Sequence, residues 1–261
     1  MRITSNVSLV KLRRPVDSGS RRWRKGSGGG GFVPESDIGS RRFNGLSDRI
    51  VWPAGIMNLA GVPWTFSVWV RVLSDIDYIH LFNGHQAGDT FYGVALVIRG
   101  GLRVGVSRAW PAGEAAWYPA AGVMSLNTWT HLTFTSDGAQ IANSVAVYVN
   151  GASQVLAFTA GIGSEVNVGG SWALGGCLYP NVPITSYHGD MAQVRVFDRV
   201  LTAPEIALEA AGVVTTTSGL VFYWKGNKNA DVISQVSGQT GTLHGTSFIS
   251  GAGNGPVITY V

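Results

Sequence analysis

Apolar and polar residues alternate through most of this chain. In Phe66-Ser67-Val68-Trp69-Val70-Arg71-Val72, the residues Phe66, Val68, Val70 and Val72 fall on one face. A two-residue period is the mark of a strand with one packed face. The strongest signal runs from Asn127 to Phe134 and then, through an Asp137-Gly138 turn, into Val145-Ala146-Val147-Tyr148-Val149. Asn150-Gly151 follows, and this pair tolerates the positive φ that a tight hairpin demands. The same grammar predicts strands in 41–52, broken by Asn44-Gly45, and in Tyr78–Phe82, Gln154–Phe158, Trp172–Gly176, Tyr187–Arg199, Leu220–Trp224 and Pro256–Val261. Tyr92–Ile98 and Leu102–Val106 read as a hairpin across Arg99-Gly100-Gly101. One helix is predicted over 203–211, with Thr202 and Glu205 at capping-box spacing, Pro204 in its first turn and Gly212 ending it. The expected architecture is all-β, an antiparallel two-sheet sandwich with the 127–151 strands near its centre.

Two regions break the pattern. Residues 108–122 hold two prolines and no period, so a loop is expected there, carrying Trp110, Trp117 and Tyr118. Aromatics on such a loop are either tucked against the sandwich or displayed for binding. Residues 1–40 are the second region, an extended arm preceding a sandwich at 41–261. Residues 1–42 carry ten Lys/Arg against three acidic residues, an excess of +7 in a chain whose net charge is +4. The sandwich itself is therefore slightly acidic. Within the arm, Arg13, Arg14, Arg21, Arg22, Trp23, Arg24 and Lys25 stand out, and the run Gly28–Gly31 reads as a linker. The arm is either a solvated tail or a segment that orders on an acidic partner surface. No nucleic-acid module surrounds it, so no specific nucleic acid is expected.

Composition narrows the class further. Charged residues are 13% of the chain, while it holds 36 glycines and nine tryptophans. Short strands joined by turns fit that balance better than a helical bundle does. The single cysteine, Cys177, excludes an internal disulfide framework and reads as a small buried apolar residue. The N-terminus shows no apolar run of signal-peptide length, so export by a signal peptide is not expected. Val51–Val70 contains Pro53, Asn58 and Pro63, and a membrane helix is not expected there.

Trp129-x-His131, Val147-Tyr148-Val149-Asn150-Gly151, Leu174-Gly175-Gly176 and the series from Tyr187-His188-Gly189 through Arg195–Arg199 to Leu201-Thr202-x-x-Glu205-Ile206 resemble the laminin-G-like domains of the concanavalin A-like lectin/glucanase superfamily. The resemblance covers about residues 41–261. It implies a jelly-roll of two antiparallel sheets, the concave one often used for glycans. Stand-alone domains of this type without a signal peptide resemble structural proteins of tailed bacteriophages. That implies a virion protein made in the host cytoplasm.

Catalytic signatures are sparse. Glycoside hydrolases on this scaffold need carboxylates at alternating positions of one strand. Asp75 and Asp77 have the spacing but no acidic third member, and they fall in a predicted turn. Residue counts leave a Ser-His-Asp constellation open, but no nucleophile elbow is present. The resemblance places Trp129 and His131 in the core as packing residues, and His188 reads as a satisfied interior group. No Cys/His cluster has zinc spacing. The resemblance brings calcium into consideration, with Asp89 and Asp190 as candidate metal ligands. The expected function is that of a non-catalytic virion structural protein, a capsid decoration or fibre component. Its arm docks on neighbouring subunits and its jelly-roll is displayed. The alternative is a carbohydrate-binding module whose Trp110, Trp117 and Tyr118 stack on sugar rings. Glycine-rich sheet edges favour a homo-oligomer.

Overall fold

The computed structural model describes residues 23–25, 32–34, 39–54, 61–85, 93–110, 113–139, 143–159, 170–176, 186–214, 217–226, 234–236, 238–245, 247–250 and 259–260. In chain order the strands are β1 (Trp23–Lys25), β2 (Phe32–Pro34), β3 (Gly39–Asn44), β4 (Arg49–Trp52), β5 (Trp64–Val72), β6 (Ile79–His85), β7 (Gly93–Arg99), β8 (Arg103–Trp110), β9 (Gly113–Pro119) and β10 (Trp129–Ser136). They continue with β11 (Val145–Val149), β12 (Ala152–Ser153), β13 (Leu156–Thr159), β14 (Trp172–Leu174) and β15 (His188–Phe197). Helix α1 (Ala203–Ala210) follows, then β16 (Val213–Val214), β17 (Leu220–Trp224), β18 (Thr242–His244), β19 (Ser247–Ser250) and β20 (Thr259–Tyr260).

Two antiparallel eight-stranded sheets face one another. Sheet I runs β12-β11-β10-β5-β15-β3-β19, with β17 also paired to β15. Sheet II runs β13-β9-β8-β7-β6-β14-β4-β18. The inward residues are those that alternation assigned: Phe66, Val68, Val70, Leu132, Phe134 and Val147 in sheet I are all fully buried. Leu96, Ile98, Val104, Val106 and Trp117 meet them from sheet II. Trp52 and Trp172 stack with centroids 5.5 Å apart, and Phe222 presents its edge to both at 4.8 Å. Aromatic pairs in these geometries add to what burial alone contributes.

The turns obey local rules. β11 and β12 are joined by Asn150 (φ 50°) and Gly151 (φ 80°), two successive positive φ values as in a type I′ hairpin. Asn44-Gly45 differs from its expected part. It joins β3 in sheet I to β4 in sheet II, so it turns the chain between layers and not within one. The Asn44 side chain accepts from the amides of Leu46, Ser47 and Asp48, which stabilises this short crossover. Helix α1 begins where predicted. The Glu205 carboxylate accepts from the Thr202 amide at 2.8 Å, and Gly212 takes φ 74° beyond the helix end.

The expected loop at 108–122 is mostly strand. β8 extends to Trp110 and pairs with β9 in regular register, Val106 opposite Trp117 and Trp110 opposite Gly113. Pro119 sits where it does not interrupt the ladder, at the end of β9. Of the closing strand expected at 256–261, the described residues form β20, which pairs in parallel with β16 in a sheet of its own. In the arm, β1 and β2 pair with each other, Trp23 opposite Pro34, and β2 lies against β20.

Candidate functional site

The outer faces of the two sheets carry the chemistry, and they are built differently. On sheet I, the residues alternating with the core are charged or polar and largely buried. Asp190 of β15 stands directly opposite Arg42 of β3 on one side and Arg71 of β5 on the other. Arg42 donates to Oδ1 from Nε at 2.8 Å and to Oδ2 from Nη2 at 3.0 Å, while Arg71 adds two further donors to Oδ2. Asp190 is fully buried, and the Arg42 guanidinium is held even more firmly protonated by this carboxylate. The Arg71 guanidinium also lies 5.5 Å over the Trp129 ring. Asp190 is thus corrected as a calcium candidate. Both its oxygens are engaged by cations, which occupy the place a metal would take.

A second buried cluster lies beside α1. Glu209 reaches from the helix to Arg195 Nη1 at 2.6 Å, and the Ser67 hydroxyl lies 3.2 Å from Glu209 and 2.9 Å from His131 Nε2. Arg195 and Tyr223 both donate to Gln193 Oε1. Gln193 has φ 56° at an irregularity of β15, which re-aims the strand so that Arg195 faces the helix. Burial drives the His131 pKa down to about 3, with the Arg195 charge acting in the same direction, so the ring is neutral. This grouping holds a serine, a histidine and a carboxylate, but it is not a triad. The hydroxyl bridges the other two groups, where a triad would place the histidine between them. All three side chains are buried, so no substrate reaches them. The expected core position of Trp129 and His131 is also corrected. They lie on the outer face of sheet I, because Leu132 and Phe134 take the face between the sheets. His188 is half-buried, and its Nδ1 pairs with the Ser74 hydroxyl at 2.7 Å.

Sheet II presents an open cleft of about 350 Å³, lined by Arg99, Arg103, Ala116, Tyr118 and Thr159. Its floor follows from the strand register. Ala116 of β9 lies opposite Thr159 of β13, and Tyr118 opposite Ala157. The Tyr118 ring crosses Gly105 of β8 so closely that a Cβ there would lie 2.5 Å from its Cδ1 and 2.1 Å from the Trp117 carbonyl oxygen. Gly105 is therefore what lets the ring lie on the sheet. Arg99 and Arg103 face each other across the β7–β8 hairpin. The Arg99 guanidinium stacks on Tyr78 at 4.1 Å and on Tyr118 at 5.2 Å. Arg103 donates from Nε to the Gly100 carbonyl at 3.2 Å. Asp77 and Asp75 accept from the Gly100 and Gly101 amides at 2.9 and 3.0 Å. The carboxylate pair with hydrolase-like spacing thus fixes the hairpin turn between the two arginines.

The predicted site residues separate accordingly. Tyr118 lines the cleft. Trp117 does not: it is fully buried, packed on Phe158 at 5.0 Å, with the Arg108 guanidinium 5.4 Å over its ring. It is corrected from displayed platform to core residue, because the strand period sends neighbours Trp117 and Tyr118 to opposite faces. Trp110 ends β8, and its side chain lies outside the described residues, as do Asp89, Cys177, Arg13, Arg14, Arg21 and Arg22. Trp23, Arg24 and Lys25 form β1, where only the backbone is described. Among the described residues no cluster of three or more His, Cys, Asp or Glu side chains could hold a metal. Arg99, Arg103 and Gly105 escaped sequence reasoning. The available signal was two arginines flanking a Gly-Gly turn on the face opposite to Ile98 and Val104.

Residues 44–207 match a family model described as the concanavalin A-like lectin/glucanases superfamily. Among solved structures, the chain is similar to a Bacteroides ovatus protein described as carbohydrate-binding, with a TM-score of 0.60 and 15% identity. That match covers 85% of this chain and 61% of the Bacteroides protein, so the chain spans less than two thirds of that relative's length. It is also similar to a heptameric SAP-like pentraxin of Limulus polyphemus, with a TM-score of 0.57 and 14% identity over 83% of this chain and 97% of that one. No curated protein sequence matches the chain significantly. The matched span exceeds half the chain and holds the central strands of both sheets and most of α1; the chain belongs to the concanavalin A-like lectin/glucanase superfamily.

Proposed function

We propose that the protein is a non-catalytic carbohydrate-binding domain whose glycan seat is the cleft on the outer face of sheet II. One observation carries this reading: Tyr118 lies across Gly105 as a flat aromatic floor in a cleft lined by polar donors. Apolar faces of pyranose rings match such a surface, and flanking donors fix a sugar's hydroxyls. The description of the similar Bacteroides protein as carbohydrate-binding supports it. Support for the absence of catalysis comes from the engagement of Asp75 and Asp77 by backbone amides and of Asp190 and Glu209 by arginines. The test is a glycan array with the intact protein, followed by titration of any ligand into Tyr118→Ala. Binding that is lost in Tyr118→Ala, with no turnover of the bound glycan, is the expected result. Binding unchanged in Tyr118→Ala moves the seat elsewhere.

A second reading concerns the arm, and its excess of eight Lys/Arg over three acidic residues, +5, favours it. Here the arm of residues 1–40 docks on an acidic partner surface, a neighbouring subunit in a virion or comparable assembly, while the sandwich is displayed. Removing residues 1–38 leaves β3 whole. Full incorporation of the shortened chain into such a particle would sink this reading without touching the first.

A further inference from the structure

We infer that β13 is the seam of a two-fold homodimer, in which it pairs antiparallel with the β13 of a second copy and continues sheet II across both. β13 is the outermost strand of sheet II, and among the described residues only β9 pairs with it. An open edge of this kind offers unpaired backbone donors and acceptors, and it templates association unless something blunts it. Charges and prolines are the usual devices, and residues 150–159 contain neither. Val155, the residue just before β13, is 92% exposed. Leu156 and Phe158, on the inner side of the strand, are only half-buried although they pack against the core.

The occupant follows from self-complementarity. Directly opposed residues of an antiparallel pair share a face, so a two-fold axis has to set one residue of the strand against its own copy. Centring on Ala157 sets Leu156 against the partner's Phe158, and Phe158 against the partner's Leu156. Both pairs are apolar, and they extend the row that Phe158 begins by packing on Trp117 at 5.0 Å. On the outer side Ala157 meets the partner's Ala157, and Val155 meets the partner's Thr159. No charge enters this ladder, although each chain carries +4. The contact is isologous, so it closes at two copies and does not propagate. Thr159 lines the sheet II cleft and lies on the seam strand. The two clefts therefore open on one continuous sheet face, each with the partner's Val155 at its rim. The seam stands whether or not a glycan fills them.

The experiment is sedimentation equilibrium of the full chain from about 1 to about 100 µM, because a short seam predicts weak association, with a Kd of about 10 µM. A dimer that dissociates within this range is expected. Ala157→Glu and Ala157→Lys each oppose a charge to itself across the axis, and each should weaken dimerisation at least about tenfold. Mixed in equal amounts, the two variants should recover the dimer, because glutamate then faces lysine. That recovery is specific to the register centred on Ala157. Ala157 is exposed, so both variants should keep the thermal midpoint of the parent chain. A monomer at every concentration overturns the inference and leaves the edge to an extended peptide of another protein. A dimer that persists in both charged variants overturns it by placing the contact elsewhere. Monomeric variants that fail to recover on mixing overturn the register on which it rests. Each of these failures leaves the glycan reading standing, since Tyr118→Ala tests that separately.

Discussion

The outer faces of the two sheets solve one electrostatic problem in opposite ways. On its outer face sheet I holds Arg42, Arg71 and Arg195, wholly or partly buried, against carboxylates: Asp190 serves Arg42 and Arg71, and Glu209 serves Arg195. Sheet II sets Arg99 against Arg103 and supports them with tyrosines and a backbone carbonyl. Charge neutralised within the fold rigidifies it and offers little to a ligand. Substitutions on the first face should therefore damage folding, and those on the second should damage binding.

The comparison breaks most visibly at Asp190. Asp190→Ala leaves two guanidiniums facing one another around a buried void, and Glu209→Ala strands Arg195. Each should cost about 3–5 kcal/mol in unfolding free energy, read from urea midpoints. Trp117 and Tyr118 sharpen it within two adjacent residues. Trp117→Ala should lose about 3–5 kcal/mol of stability through a core cavity. Tyr118→Ala should cost far less stability and abolish glycan binding. If both substitutions behave alike, the assignment of faces is wrong.

Acid discriminates more gently. An unfolded His131 takes up a proton near pH 6.5, but the buried ring resists until about pH 3. The unfolded state therefore binds more protons between those values, and stability falls as pH drops through that window. The slope contributed is up to about 1.4 kcal/mol per pH unit. The expected check is a urea midpoint that declines from pH 7 to 4 and declines less steeply in His131→Gln. The smallest effect belongs to the helix cap. Hydrogen bonds from Arg199 and then from the Thr202 amide lower the Glu205 pKa to about 2. Its contribution is present above pH 4.5 and fades as pH falls toward 2. Glu205→Ala should cost about 1 kcal/mol at neutral pH.

Much of this fold was legible because burial imposes a period. Phe66–Val72, Val145–Val149 and α1 all follow from spacing and capping residues alone. β9 was not, because Trp110, Pro111, Pro119 and two alanine pairs hide the alternation that puts Ala115 and Trp117 inward. The crossover at Asn44-Gly45 looked like a hairpin, since turn chemistry does not say which sheet receives the next strand. The cleft was half legible. Tyr118 was singled out, but Arg99 and Arg103 became partners only through the β7–β8 register, and Gly105 only through the ring above it. Asp190 showed the opposite failure, an acidic residue whose two partners lie 148 and 119 positions away in the chain.

That last separation bears on how the molecule is assembled. β3, near the start of the sandwich, has β15 and β19 as its sheet partners, both from the last third of the chain. A ribosome therefore delivers the first strand of sheet I long before its neighbours exist. Ordering of such distant pairs is slow. The polar outer side of β3, with Ser40 and Arg42 beside Phe43, helps keep this waiting segment hydrated and apart from other nascent chains until its partners emerge.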